Sequence, residues 1–204
     1  MSTYMHLNVT YDKACKDFSQ KNPVETAWKS QAQFDKEKSC FYLAFFTDKL
    51  LITYPDGEVK FQDRDEEMNI TDKILVLHYL TNAQGVPITD RWIHFREIPG
   101  GNIYVDPFKG RAIYPFLKTF GSNPDGFEKA ALSLGAKKRD MGDISFEIPV
   151  FPMVPVIYIL WLGDEEMPPS ANILFNEAAP SYLPTEDYAI IGGLTSGKLK
   201  KILT

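Results

Sequence analysis

A chain of 204 residues is long enough for one domain whose folding buries roughly 70% of the surface that the unfolded chain exposes. Its 44% hydrophobic and 24% charged residues are the proportions of a globular protein and exclude a disordered one. The net charge of −5, from 22 basic and 27 acidic residues, excludes bulk attraction to nucleic-acid backbones or to anionic lipid.

Thr10 is placed to cap a short helix reaching about Gln20. A stronger start signal follows at Asn22-Pro23-Val24-Glu25, with Asn at N-cap, Pro at N1 and Glu at N3. That helix is expected to run to about Lys38, with Ala27, Gln31 and Phe34 near one face. From Phe41 the residues turn aromatic and β-branched. Phe41–Thr47 and Leu50–Tyr54 read as strands, and Pro55-Asp56-Gly57 turns the chain into Glu58–Phe61. The acidic run Asp63–Glu67 reads as a solvated loop. Thr71-Asp72 opens a helix through Leu80, with Ile74, Leu77 and Leu80 on one stripe.

After a loop over Asn82–Thr89, Trp92–Ile98 reads as a strand stopped by Pro99-Gly100-Gly101, with Ile103–Val105 as a short partner. Helices are expected at Ala112–Phe120 and Asp125–Leu134, the second ended by Gly135. Phe146–Val150, Val156–Leu162 and Asn172–Asn176 read as strands, with Pro152 and Pro155 interrupting the link between the first two. Pro184-Thr185-Glu186-Asp187 opens a final helical region whose negative end suits Lys198, Lys200 and Lys201. Strands and helices arriving in runs predict a single α+β domain over residues 1–204, a mainly antiparallel sheet packed with several helices.

Cys15 and Cys40 form no CxxC pair and read as free thiols in a reducing compartment. Met1–Thr10 lacks the basic and apolar regions of a signal peptide, and Pro149–Leu162 is too short and proline-rich to span a bilayer. The expected location is the cytoplasm.

Motifs that carry chemistry are few. Gly192-Gly193-Leu194-Thr195-Ser196-Gly197-Lys198 fits the spacing GxxxxGK of a phosphate loop, but Leu199 replaces the Ser or Thr that would hold magnesium. A glycine-rich joint between two short helices is the preferred reading. Histidine is limited to His6, His78 and His94. His78, on a nearly all-apolar helix, reads as a core or boundary residue. In a strand, Trp92, His94 and Arg96 share one face and Ile93 and Phe95 the other, which sets an aromatic plate, a titratable ring and a guanidinium in a row. That row suits an anionic or aromatic ligand; the plainer alternative is a packing stripe on an exposed sheet face. Asp164, Glu165 and Glu166 follow one strand end and Glu177 another, and read either as oxygen ligands for a hard cation or as a solvated acidic rim. No nucleophile elbow and no calcium loop is present.

A wider pattern joins Leu77-His78-Tyr79-Leu80, Trp92-Ile93-His94-Phe95-Arg96-Glu97-Ile98-Pro99-Gly100-Gly101, Leu160-Trp161-Leu162-Gly163-Asp164-Glu165-Glu166-Met167-Pro168-Pro169-Ser170-Ala171 and Tyr182-Leu183-Pro184-Thr185-Glu186-Asp187. In this order, over about residues 10–200, it resembles a bacterial and archaeal domain-of-unknown-function family common in anaerobes. The resemblance implies no activity or cofactor. It implies members joined to a Cys-rich iron–sulfur domain of the kind seen in corrinoid iron–sulfur proteins. This sequence departs from those members in having no cysteine cluster. The expectation is therefore a non-catalytic binding or accessory module serving a corrinoid or iron–sulfur protein partner, with no nucleic acid and no membrane involved. Its candidate ligand-binding residues are Trp92, His94, Arg96, Trp161, Asp164, Glu165 and Glu177. The alternatives are an enzyme using His94 with Asp164, Glu165 or Glu177 as an acid–base pair, and a purely structural interaction protein.

Overall fold

The computed structural model describes residues 2–203, with side chains from residue 6 onward. The fold is α+β, with two antiparallel sheets. The chain divides into two compact units: residues 1–87 with 151–153 and 181–183, and residues 88–150 with 154–180 and 184–204.

The first unit begins with α1 (Ser2–Ser19) and α2 (Pro23–Ser30). α1 starts ahead of Thr10, whose hydroxyl donates to the His6 carbonyl inside the helix and caps nothing. The expected cap of α2 is present, the Asn22 side chain accepting from the backbone N–H groups of Val24 and Glu25 at 3.0 and 3.1 Å. Asn22→Ala is expected to lower stability by about 1 kcal/mol in a urea titration. The helix stops at Ser30, well short of Lys38. Gln31 takes a left-handed conformation (φ 56°), and Phe34 leaves for a strand where its ring packs 4.8 Å from that of Phe41. Packing against Phe41 and Tyr54 outweighs the helical spacing that Phe34 continues.

The first sheet runs β1 (Gln33–Asp35), β2 (Cys40–Phe45), β3 (Asp48–Thr53) and β4 (Val59–Phe61), each paired with the next. Gly57 makes the β3–β4 turn at φ +74°, where an added Cβ would lie 3.2 Å from Cys15 Sγ. α3 (Ile70–Asn82), capped by Asn69, buries Ile74, Leu77 and Leu80 as their spacing requires. Tyr79 on the same helix is fully buried and stacks on Phe151 at 4.3 Å, and its hydroxyl donates to the Ser30 carbonyl at 2.6 Å. Cys15 and Cys40 are free.

The second unit carries the sheet β5-β9-β8-β7-β6, formed by β5 (Trp92–His94), β6 (Lys137–Arg139), β7 (Ile144–Phe151), β8 (Val154–Trp161) and β9 (Ser170–Asn176), with Phe151 grouped in the first unit. β6 is short, exposed and wholly basic, so no alternation announces it. Three segments depart from the expected structure. β5 ends at His94, where the Glu97 carboxylate takes the His94 backbone N–H at 2.7 Å and Phe95–Glu97 winds into a 3-10 turn. Ile103–Val105 is helical, inside α4 (Gly101–Phe108), because Gly100 at φ +81° turns the chain and its carbonyl accepts from the Ile103 N–H. The Gly192–Lys198 stretch is no joint. It lies inside the single helix α7 (Thr185–Ile202).

Helical backbone continues past α4 through a π-helical segment, Lys109–Ile113, into α5 (Tyr114–Phe120), followed by α6 (Pro124–Ser133). Pro107 and Pro115 bracket the π segment, and neither has an N–H to give to an α-helical bond. The Ser196 hydroxyl ties α7 to this segment, donating to the Ala112 carbonyl at 2.9 Å. Packed against this segment, α7 comes close enough that a Cβ on Gly192 would meet Phe108 Cε2 at 2.7 Å and Ala112 Cβ at 2.9 Å. Tyr158, fully buried in β8, fixes the same helix by donating to the Gly192 carbonyl at 2.7 Å, and burial pushes its phenol above the ordinary value.

Candidate ligand-binding cleft

The 3-10 turn after β5, the π segment and the first residues of β9 enclose a cleft of about 380 Å³ in the second unit. Its floor is aromatic. Phe95 and Phe108, each 3% exposed, stack at 4.1 Å with their planes 3° apart, and Phe175 lies 6.0 Å from both. The turn that holds Phe95 depends on Gly101, whose added Cβ would fall 2.1 Å from the Phe95 carbonyl oxygen. Buried Ile113 and half-buried Val105, Leu117 and Pro169 complete the apolar wall.

The rim is polar and one-sided in charge. Arg96 and Lys109 both line the cleft, and neither forms an ion pair among the described residues. His94, Tyr114, Ser170 and Asn172 also line it, whereas no Asp or Glu does. His94 Nδ1 lies 2.8 Å from the Asn172 amide nitrogen. The pair meets because His94 is registered against Leu174, so Asn172 is its diagonal neighbour on the same face of the sheet. An oxyanion with an apolar body meets complementary chemistry here: desolvated rings below and uncompensated cations above.

Of the residues singled out from the sequence, His94 and Arg96 line this cleft, although Arg96 belongs to the turn and shares no strand with the other two. Trp92 is paired with Asn176, and the Arg139 guanidinium lies 5.8 Å from its ring centroid. Trp161, at the end of β8, is 38% exposed, and a Cβ on Gly142 would lie 3.1 Å from its ring. Asp164 closes its own turn, accepting from the backbone N–H groups of Met167 and Glu166 at 2.8 and 2.9 Å, which hold its carboxyl below the ordinary value. Glu165 is exposed. Glu177 accepts from the Thr89 hydroxyl at 2.7 Å and pairs with Arg91 at 3.4 Å. None of these five lines the cleft.

Phe108, Lys109, Ile113 and Tyr114 line the cleft without belonging to any of the sequence motifs above. The signal present was the run Pro107-Phe108-Lys109-Gly110-Arg111-Ala112-Ile113-Tyr114-Pro115, an aromatic and cationic stretch between two prolines, where a continuous α-helix is interrupted. His78 is half-buried on α3, and His6 is exposed on α1. Among the described residues no three His, Cys, Asp or Glu side chains are grouped to hold a metal ion, and no helix is long and apolar enough to cross a membrane.

Residues 22–198 match the sequence profile of a family described as Domain of unknown function (DUF3786). No curated protein and no solved structure matches the chain.

Proposed function

We propose, for a chain that belongs to the DUF3786 family of unknown function, a binding module whose ligand joins an apolar body to an anionic oxygen group. The observation that carries this reading is the pairing of a stacked Phe95–Phe108 floor with Arg96 and Lys109 at the rim and no carboxylate in the lining. A cleft of about 380 Å³ suits a small molecule. A binding role is favoured over acid–base catalysis because Asp164 is committed to its own turn and Glu177 to Thr89 and Arg91, leaving His94 without a carboxylate partner in the lining.

The test is isothermal titration with 3-phenylpropionate. The double variant Arg96→Met, Lys109→Met is expected to bind at least about tenfold more weakly than the parent, the loss of one charge-assisted contact or more. Both residues are exposed, so the melting temperature is expected to stay within a degree or two. Equal affinity in the variant contradicts the reading.

The resemblance of the sequence to domains joined to Cys-rich iron–sulfur modules supports a finer proposal: service to an anaerobic corrinoid or iron–sulfur system in the cytoplasm. The free thiols of Cys15 and Cys40 support a reducing compartment. Capture from an anaerobic extract that returns no corrinoid or iron–sulfur protein removes that proposal and leaves the cleft reading intact.

A further inference from the structure

Asn172 has two polar atoms, and both are committed. Its amide oxygen accepts from the backbone N–H of Ile173 at 2.9 Å, so the nitrogen is the atom that faces His94 Nδ1, 2.8 Å away. An amide nitrogen only donates. Nδ1 must therefore present its lone pair, and the ring proton of neutral His94 sits on Nε2. The orientation of the amide follows from the Ile173 bond, because rotating it would set two donors against each other. The backbone of His94 is fixed as well, through the Glu97 carboxylate at 2.7 Å.

We infer that Asn172 locks His94 as a hydrogen-bond donor at the cleft, and that this lock selects ligands presenting an anionic oxygen over ligands presenting an N–H or ammonium group. The inference deepens the binding reading above and rests on it. His94, Arg96 and Lys109 line the cleft together, and once the imidazole is held as a donor the polar side chains able to reverse their role are the Ser170 and Tyr114 hydroxyls, which donate or accept. A carboxylate and a phosphate monoester offer the same oxygen chemistry, and the probes below separate them. Asn172 is a positioning residue. It acts on the ligand through the ring it orients.

Two measurements test this. Long-range ¹H–¹⁵N correlation of the imidazoles resolves a chain with only three histidines, His94 being assigned by its loss in His94→Phe. The parent is expected to show His94 protonated at Nε2 and bare at Nδ1; in Asn172→Asp, a side chain that only accepts, protonation moves to include Nδ1. Titration with 3-phenylpropionate, phenyl phosphate and 3-phenylpropylamine is expected to show binding of one or both anions and not of the amine, and His94→Phe is expected to weaken the bound anion about tenfold. A parent ring protonated at Nδ1 overturns the lock. Anion binding that survives His94→Phe unchanged overturns the selection while the cleft reading stands. Failure of both anions to bind the parent overturns the cleft reading and the selection together.

Discussion

Phe108→Ala is expected to destabilise the second unit by about 3–5 kcal/mol, the range for removing a large buried aromatic side chain. Phe108 is 3% exposed, stacks face to face on Phe95 at 4.1 Å, lies 6.0 Å from the Phe175 ring and fills the space that Gly192 leaves open on α7. Little can collapse into the void, because the opposing helix approaches at backbone distance and the Phe95 turn is pinned by Gly101. Ile103→Ala on the same helix provides the contrast. Its side chain is 79% exposed, and the change is expected to fall within about 0.5 kcal/mol. Urea unfolding followed by circular dichroism separates the two, and comparable midpoints would show that the aromatic floor contributes little.

The second large effect is expected at Gly192. A leucine there must place its Cβ where Phe108 Cε2 lies 2.7 Å away and Ala112 Cβ 2.9 Å away, with three further carbons beyond it. Overpacking of this kind costs about 1–3 kcal/mol or more, and here it pushes α7 off the π segment that forms the cleft wall. Gly197, in the same helix, has nothing within 4 Å of an added Cβ. Gly197→Ala is expected to stabilise by about 0.5–1 kcal/mol through helix propensity alone. A phosphate loop would demand the opposite, since both glycines would then serve a bound anion. The glycines instead serve helix packing at position 192 and are dispensable at 197. Thermal unfolding of the two variants is the check, and a destabilised Gly197→Ala would contradict the assignment.

Much of the fold is legible in the sequence because its signals are local. The Asn22 cap, the Gly57 turn and the Ile74, Leu77, Leu80 stripe each follow from one stretch of chain and appear as expected. What was illegible depends on distant partners. Phe34 leaves α2 for the Phe41 ring, and Ile103–Val105 is helical because of how Gly100 turns the chain. The candidate site divides in the same way. Alternation over Trp92–His94 holds in burial, with Ile93 buried and His94 exposed, but Arg96 reaches the cleft from the 3-10 turn, which also brings Phe95 to its floor. The other wall comes from a π segment whose Ala112 carbonyl takes a bond from Ser196, some eighty residues along, a contact that no periodicity displays. The acidic residues after β8 and β9 stand out as charges in the sequence, but Asp164 accepts from turn N–H groups and Glu177 pairs with Thr89 and Arg91.

The most direct measurement is amide chemical-shift mapping of the parent protein with 3-phenylpropionate. The account predicts shifts concentrated at Phe95, Arg96, Phe108, Lys109 and Ala171, around the cleft. Shifts concentrated in residues 1–87, or none at saturating concentration, would contradict it.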